Sequence, residues 1–180
     1  MTKKLSKEDG ILLLKLAREK IFNEFGEGKN NFAALKSKVS SMVLEENRGI
    51  FVTLHKKGDL RGCIGNIEPI KTVWEGVLDN AKHAAFHDSR FKPLSPEELK
   101  DTLIEVSILT PPQTLEYSDG EDLIAKLKPG IDGVIIKKNY NNATFLPQVW
   151  DQLKDPKTFL THLCMKAGLL TDDWESGNLS

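Results

Sequence analysis

Residues 50–65 constrain the fold of this chain more than any other stretch. An apolar run, Ile50-Phe51-Val52-Thr53-Leu54, is followed by the turn signal Lys57-Gly58-Asp59 and then by Leu60-Arg61-Gly62-Cys63-Ile64-Gly65. That order predicts strand, tight turn, strand. Side chains alternate along a strand, so Leu60, Gly62 and Ile64 are expected on one face and Arg61, Cys63 and Gly65 on the other. A guanidinium then stands beside a thiol, with glycine on both sides of the thiol. A cation nearby favours thiolate over thiol. Glycine lets a ligand or another chain approach the strand backbone, at a cost in strand stability. Cys63 is therefore a candidate nucleophile or redox group with Arg61 as its cation, and Leu60, Gly62, Ile64 and Gly65 are candidate binding positions. The plainer alternative is a small buried cysteine, since free cysteine is among the most buried residue types.

The register of the hairpin decides what else is near the thiol. A three-residue turn, Lys57 to Asp59, puts His55 on the face of Cys63. A two-residue turn, at Lys57-Gly58 or Gly58-Asp59, sends it to the other face. The sequence leaves both open.

Around this hairpin the periodicity alternates between helix and strand. Ser6 and Asp9 form a capping-box pattern ahead of a helix through Leu12, Leu13, Leu16, Ala17, Ile21 and Phe25, stopped by Gly26 or Gly28. Residues 29–47 are expected to be a loop with one short helix. Val73, Trp74, Val77, Leu78, Ala81, Ala84 and Ala85 recur at helical spacing, and that helix is expected to end near Asp88. Ser95-Pro96-Glu97-Glu98 starts a short helix. Ile104, Val106 and Ile108 alternate with Glu105 and Ser107, which predicts a half-buried strand ended by Pro111-Pro112. A second hairpin is expected around Asn139 to Asn142, followed by a short helix from Pro147 and a last helix from Asp155-Pro156 to Gly168. No strict strand–helix–strand repeat is present. The pattern predicts an α+β fold with a largely antiparallel sheet or sheets and flanking helices, as one domain over residues 1–180.

Charge and cysteine usage bound the function. A formal net charge of −1 offers no basic excess for a phosphate backbone, so nucleic-acid binding is disfavoured. The run Ile11 to Leu14 is too short for a membrane span or a signal-peptide core, so no membrane partner is expected. Two cysteines far apart in sequence do not make a disulfide framework, which points to a reducing, cytoplasmic setting.

Histidines and charged loops supply the remaining candidates. His83 and His87 lie four apart on one predicted helix face. With Cys63 they would make three ligands of an open zinc site, but Lys82 and Ala84 flank His83 where a metalloprotease signature has glutamate, and no metal or cofactor is expected. His87 is instead a candidate base for Cys63. Asp88 and Arg90, in the loop that follows, are candidate binding residues. Cys164 falls on the apolar face of the last helix and is expected in the core.

Four stretches together resemble the AMMECR-domain family, also called AmmeMemoRadiSam system protein A. They are LRGCIG at Leu60 to Gly65, AAFHDSRFKPL at Ala84 to Leu94, ATFLPQVWDQL at Ala143 to Leu153 and FLTHLCMKAGL at Phe159 to Leu169, with EVSILTPP at Glu105 to Pro112 between the second and third. The resemblance implies one α+β domain of two lobes, with both chain ends in the larger lobe and with LRGCIG as the signature. It implies association with a Memo-like protein and a radical SAM protein, and no firmly established activity. A human relative is linked to a developmental disorder. The Asn139 to Asn142 turn departs from the glycine-containing, basic turn expected in the family. The reading is therefore a ligand- or partner-binding component acting through the Leu60–Gly65 region; the alternative is an enzyme using Cys63 with Arg61 and a histidine.

Overall fold

The computed structural model describes residues 5–29, 31–37, 42–177 and 179. The chain folds into two compact units, Met1–Pro112 and Gln113–Ser180.

The first unit opens with helix α1, Lys7–Glu24. Ser6 caps it through the reciprocal bonds with Asp9 that the sequence pattern predicts. Part of the loop expected next lies outside the described residues. The rest holds a short helix α2, Phe32–Lys36, and a 3₁₀ turn at Met42–Glu45. Strands β1, Ile50–Lys56, and β2, Asp59–Asn66, form the hairpin. Helix α3, Val73–Phe86, starts from a second capping box, Thr72 with Glu75. Helix α4, Pro96–Lys100, starts from a third, Ser95 with Glu98. Strand β3, Thr102–Ile108, returns antiparallel to β1, so the sheet order is β2-β1-β3.

One face of this sheet carries the core. Ile50, Val52 and Leu54 are fully buried beneath Val73, Val77, Ala81 and Ala84 of α3 and Leu13, Leu16 and Ile21 of α1. Each large aliphatic side chain so buried contributes about 1.5–3 kcal/mol. Two polar ties fix the layers. Buried Asn80 of α3 donates to Ile50 O at 2.9 Å, and Arg18 of α1 donates to Leu99 O and Thr102 O at 2.9 and 2.6 Å.

The second unit has its own core. Helix α5, Gly120–Lys126, is followed by the hairpin of β4, Val134–Lys138, and β5, Asn141–Phe145. A 3₁₀ turn at Pro147–Asp151 and helix α6, Pro156–Ala167, complete the packing. Trp150 stacks on Phe159 at 3.7 Å, and Trp174, from the tail, is buried with them. Cys164 is fully buried here, as its position on the apolar helix face predicts. The two sheets, both antiparallel, and the flanking helices make an α+β fold.

Candidate functional site

The hairpin turn is two residues long. Lys56 pairs with Asp59 and His55 with Leu60, and Lys57 and Gly58 both take positive φ, 54° and 92°. Such a turn matches the twist of the strands it joins and suits glycine at its second position. On alternation alone this turn would put His55 on the face opposite Cys63. A β-bulge reverses that outcome: the register shifts between Leu54 and His55, Leu54 pairs with Gly62, and Arg61 is the extra residue. Thr53 therefore pairs with Cys63, and His55, two residues on, shares its face. The bulge also corrects the expected sharing of faces. Gly62 and Ile64 face the core side, whereas Leu60 pairs with His55 on the outer side and is 42% exposed.

The two glycines beside the thiol have structural neighbours, which corrects their reading as points of ligand approach. A Cβ on Gly62 would stand 2.2 Å from the Ala84 carbonyl oxygen, so Gly62 lets α3 lie directly on β2. A Cβ on Gly65 would meet the Phe51 ring at 2.3 Å and Ile50 O at 2.4 Å. Phe51 covers that glycine from the neighbouring strand.

Arg61 does not serve the thiol. Its Nη2 donates to Lys92 O at 2.8 Å and to Glu98 Oε2 at 3.0 Å, and Lys56 Nζ donates to Glu98 Oε1 at 2.8 Å. The bonds from Arg61, with those from Lys56 next, lower the Glu98 pKa to about 2. One carboxylate thus caps α4 and holds two cations of the hairpin. His87 also has another partner. It is exposed at the C-terminal cap of α3, with its ring edge-on to His83 at 5.3 Å. Among the described residues no three His, Cys, Asp or Glu side chains gather as a metal site, so Cys63, His83 and His87 do not form one.

Asp88 and Arg90 take the places next to Cys63. β2 is an edge strand, so Cys63 turns its backbone N–H and C=O away from β1. The N–H donates to Asp88 Oδ2 at 2.9 Å, and the C=O accepts from Arg90 Nη2 at 3.1 Å. Arg90 grips Asp88 through Nε at 2.9 Å and Nη2 at 2.7 Å. The loop after α3 thus satisfies the sheet edge where another strand would. Asp88 is buried, and its bonds from Arg90, with the Cys63 N–H adding, hold its pKa far below the usual carboxylate range. The Arg90 pKa is raised, first by Asp88, with the Cys63 side chain contributing. The Phe91 ring lies 5.5 Å from the Arg90 guanidinium and 5.9 Å from that of Arg61.

Because its outward N–H and C=O go to this clamp, Cys63 sits opposite Thr53 in a non-hydrogen-bonded pair, where cross-strand side chains come closest. Thr53 Oγ1 accordingly donates to Cys63 Sγ at 3.3 Å. On the far side of Thr53, across β1, stands Glu105 of β3, whose carboxylate is 3.7 Å from His55 Nε2. The outer face thus joins a half-buried thiol, a hydroxyl, a guanidinium, an imidazole and a carboxylate. Thr53 and Glu98 escaped the sequence reading. The outward position of Thr53 in the apolar run of β1 is a signal for the first, and the Ser95–Glu98 capping box for the second.

These features define an α+β protein with two antiparallel sheets and an edge-strand cysteine clamped by an Asp–Arg pair. The AMMECR1 family model matches residues 14–180, and the chain belongs to that family. It is 41% identical over 169 residues to a protein of Methanothermobacter thermautotrophicus, covering 93% of this chain and 86% of that one. A protein of Methanopyrus kandleri is 40% identical over 182 residues, covering 97% and 84%. The crystal structure of an uncharacterized protein from Pyrococcus horikoshii has the same fold, with a TM-score of 0.82 and 34% identity over 98% of this chain and 88% of that one. Among the described residues no helix is long and apolar enough to cross a membrane.

Proposed function

We propose that this chain is a ligand- or partner-binding component that presents the outer face of the β2-β1-β3 sheet, centred on Cys63. The partners it fits are a Memo-like protein and a radical SAM protein, as the family resemblance implies, in a reducing, cytoplasmic setting. The observation that carries the reading is the clamp. A buried aspartate and an arginine fix the backbone of one edge residue on both sides, and so hold Cys63 and the outer face around it in one position. Binding of the purified Memo-like protein tests it. Thr53→Arg sets a long cation among the groups of this face, and it weakens binding by roughly tenfold or more, as disruption of an interface centre does. Cys63→Ala leaves binding intact. Binding by Thr53→Arg as tight as by the wild type would overturn the proposal.

A second reading has its own observation. Thr53 Oγ1 donates to the Cys63 thiol, Arg90 donates to the Cys63 carbonyl and His55 shares the face, so the thiol stands among polar groups as a nucleophile or redox group would, with His55 as the histidine. Alkylation by iodoacetamide, followed residue by residue by mass spectrometry, tests this. Cys63 reacts and buried Cys164 does not; equal resistance of both would remove the reading.

A further inference from the structure

The two edges of the first sheet differ. At β2 the loop after α3 meets the outward backbone groups of Cys63, whereas β3 has β1 on one side and no strand on the other. Thr53 turns its N–H and C=O away from Cys63 and toward Glu105, so Glu105 spends its own on β1. Backbone direction alternates along a strand, and Thr102, Ile104, Val106 and Ile108 therefore turn theirs outward. Arg18 of α1 takes the Thr102 carbonyl at 2.6 Å. The outward N–H and C=O groups of Ile104, Val106 and Ile108 have no hydrogen-bond partner among the described residues. Such a row is a template for an added strand.

Helix α1 runs along this open edge. It packs on β3 and α3, while α3 covers β1 and β2. The C-terminal end of α1 lies by that of α3, where Glu24 pairs with Lys82 and Phe25 meets Phe86. Ala84, in the same turns of α3, sits over Gly62 and Leu54, near the Lys56–Thr102 end of the sheet. α1 is therefore antiparallel to β3. Arg18, Leu14, Ile11 and Lys7 share one helix face, and Arg18 reaches an outward carbonyl of β3, so this face borders the open edge. Along the helix these residues span roughly 16 Å, against roughly 20 Å for β3. That places Leu14 by Ile104, Ile11 by Val106 and Lys7 by Ile108. Leu14 and Ile11 are 41% and 45% exposed, and the side chains of Ile104, Val106 and Ile108 are half-buried on the same side of the sheet.

We infer that the β3 edge beneath α1 takes up an extended segment of a partner protein as a fourth, antiparallel strand, with an acidic side chain opposite Ile108 and aliphatic ones opposite Val106 and Ile104. Backbone hydrogen bonds supply affinity in this mode, and alternate side chains supply specificity. The aliphatic side chains of the segment cover Ile11 and Leu14. Charge selects the acidic one: both charged residues of the helix stripe are cations, Arg18 is committed to Leu99 O and Thr102 O, and Lys7 has no ion pair among the described residues. A second copy of this chain fits less well. Pairing two β3 strands at about 4.8 Å would bring two α1 helices, whose axes need about 8–10 Å, over the same line. The groove lies on the core side of the sheet, opposite the Cys63 face, so the two surfaces are tested independently.

The probe is a fluorescein-labelled peptide, Glu-Thr-Val-Thr-Val-Thr, and its binding to the full chain is read by fluorescence anisotropy. Saturable binding is expected. In an antiparallel strand with its valines turned to α1, the valine N–H groups face β3 and the threonine N–H groups face away. N-methylation of both valines therefore weakens binding by roughly tenfold or more, and N-methylation of the first two threonines leaves it within about twofold. Replacing the glutamate of the peptide by glutamine weakens binding by about two- to fivefold, and that difference disappears in Lys7→Gln. Leu14→Glu, at an exposed position that leaves the core intact, weakens binding by roughly tenfold. Absence of saturable binding to the wild type overturns the inference, as does an equal loss on methylating either set of residues, or binding by Leu14→Glu as tight as by the wild type. Sedimentation of the wild type as a dimer that Leu14→Glu dissociates would assign the edge to a second copy and would also overturn it.

Discussion

Gly62 and Gly10 show how the same added methyl group acts with opposite sign at two positions. Gly10 lies inside α1, and a Cβ there would have nothing within 4 Å, so Gly10→Ala only reduces the freedom of the unfolded chain. That substitution stabilises by about 0.5–1 kcal/mol. Gly62→Ala instead drives a methyl group to 2.2 Å from the Ala84 carbonyl oxygen, and a helix backbone has no flexible end to move aside. It destabilises by about 1–3 kcal/mol, as overpacking does. Urea midpoints of the two variants, read against wild type, move in opposite directions. Glycine next to a reactive-looking cysteine suggests ligand access from sequence alone. The carbonyl of a residue 22 positions later decides otherwise, and nothing local announces it.

At the scale of elements, the loop after α3 works as a substitute strand. Asp88 is the pivot, since it meets both the Cys63 N–H and the Arg90 guanidinium. Its lowered pKa means that folding binds the ionised form. The stabilisation is present above the unfolded carboxylate pKa near 3.9 and is lost as pH falls from there through the depressed folded value. Glu98 acts in the same sense, from its ordinary value of 4.5 down to about 2. Asp88→Asn removes the charge and costs about 1–3 kcal/mol at neutral pH, the usual effect of breaking a buried charged hydrogen bond. It also flattens the fall in stability between about pH 4 and pH 2. Urea denaturation of wild type and Asp88→Asn across that range checks both the offset and the slope. The capping box of α1 and the hairpin are legible in sequence, because each is written in neighbouring residues: Ser6 with Asp9, and an apolar run followed by Lys57-Gly58-Asp59. The bulge at Arg61 is not, and it decides that Arg61 goes to Glu98 while His55 returns to the face of Cys63. Asp88 and Arg90 are legible as candidates from their loop, yet their attachment to Cys63 spans 25 and 27 positions and depends on α3 ending where it does.

For the molecule as a whole, the two cores divide cleanly along the sequence. The buried cluster of the first unit draws on residues from Leu12 to Leu99, with partly buried neighbours from Leu5 to Ile108. That of the second draws on residues from Leu123 to Trp174, with neighbours from Tyr117 to Leu179. Between them Thr110 to Glu116 are exposed and carry no regular structure, and Pro111-Pro112 interrupts strand pairing. The first unit contains both sides of every contact that builds its sheet, its two long helices and the Cys63 clamp. A fragment ending at Pro112 also exceeds the roughly 70–80 residues below which one core rarely suffices. Such a fragment is expected to fold alone, with a single cooperative thermal transition, and to lose that transition with Leu16→Ala, which removes a fully buried side chain at a cost of about 2–5 kcal/mol. The shorter second unit buries a smaller share of its surface and is expected to melt at lower temperature when produced by itself. Circular dichroism melts of the two fragments decide the matter. A first-unit fragment without a transition would mean that its core is completed by residues beyond Pro112, and the sequence-local division of the two cores would then not describe how the chain is stabilised.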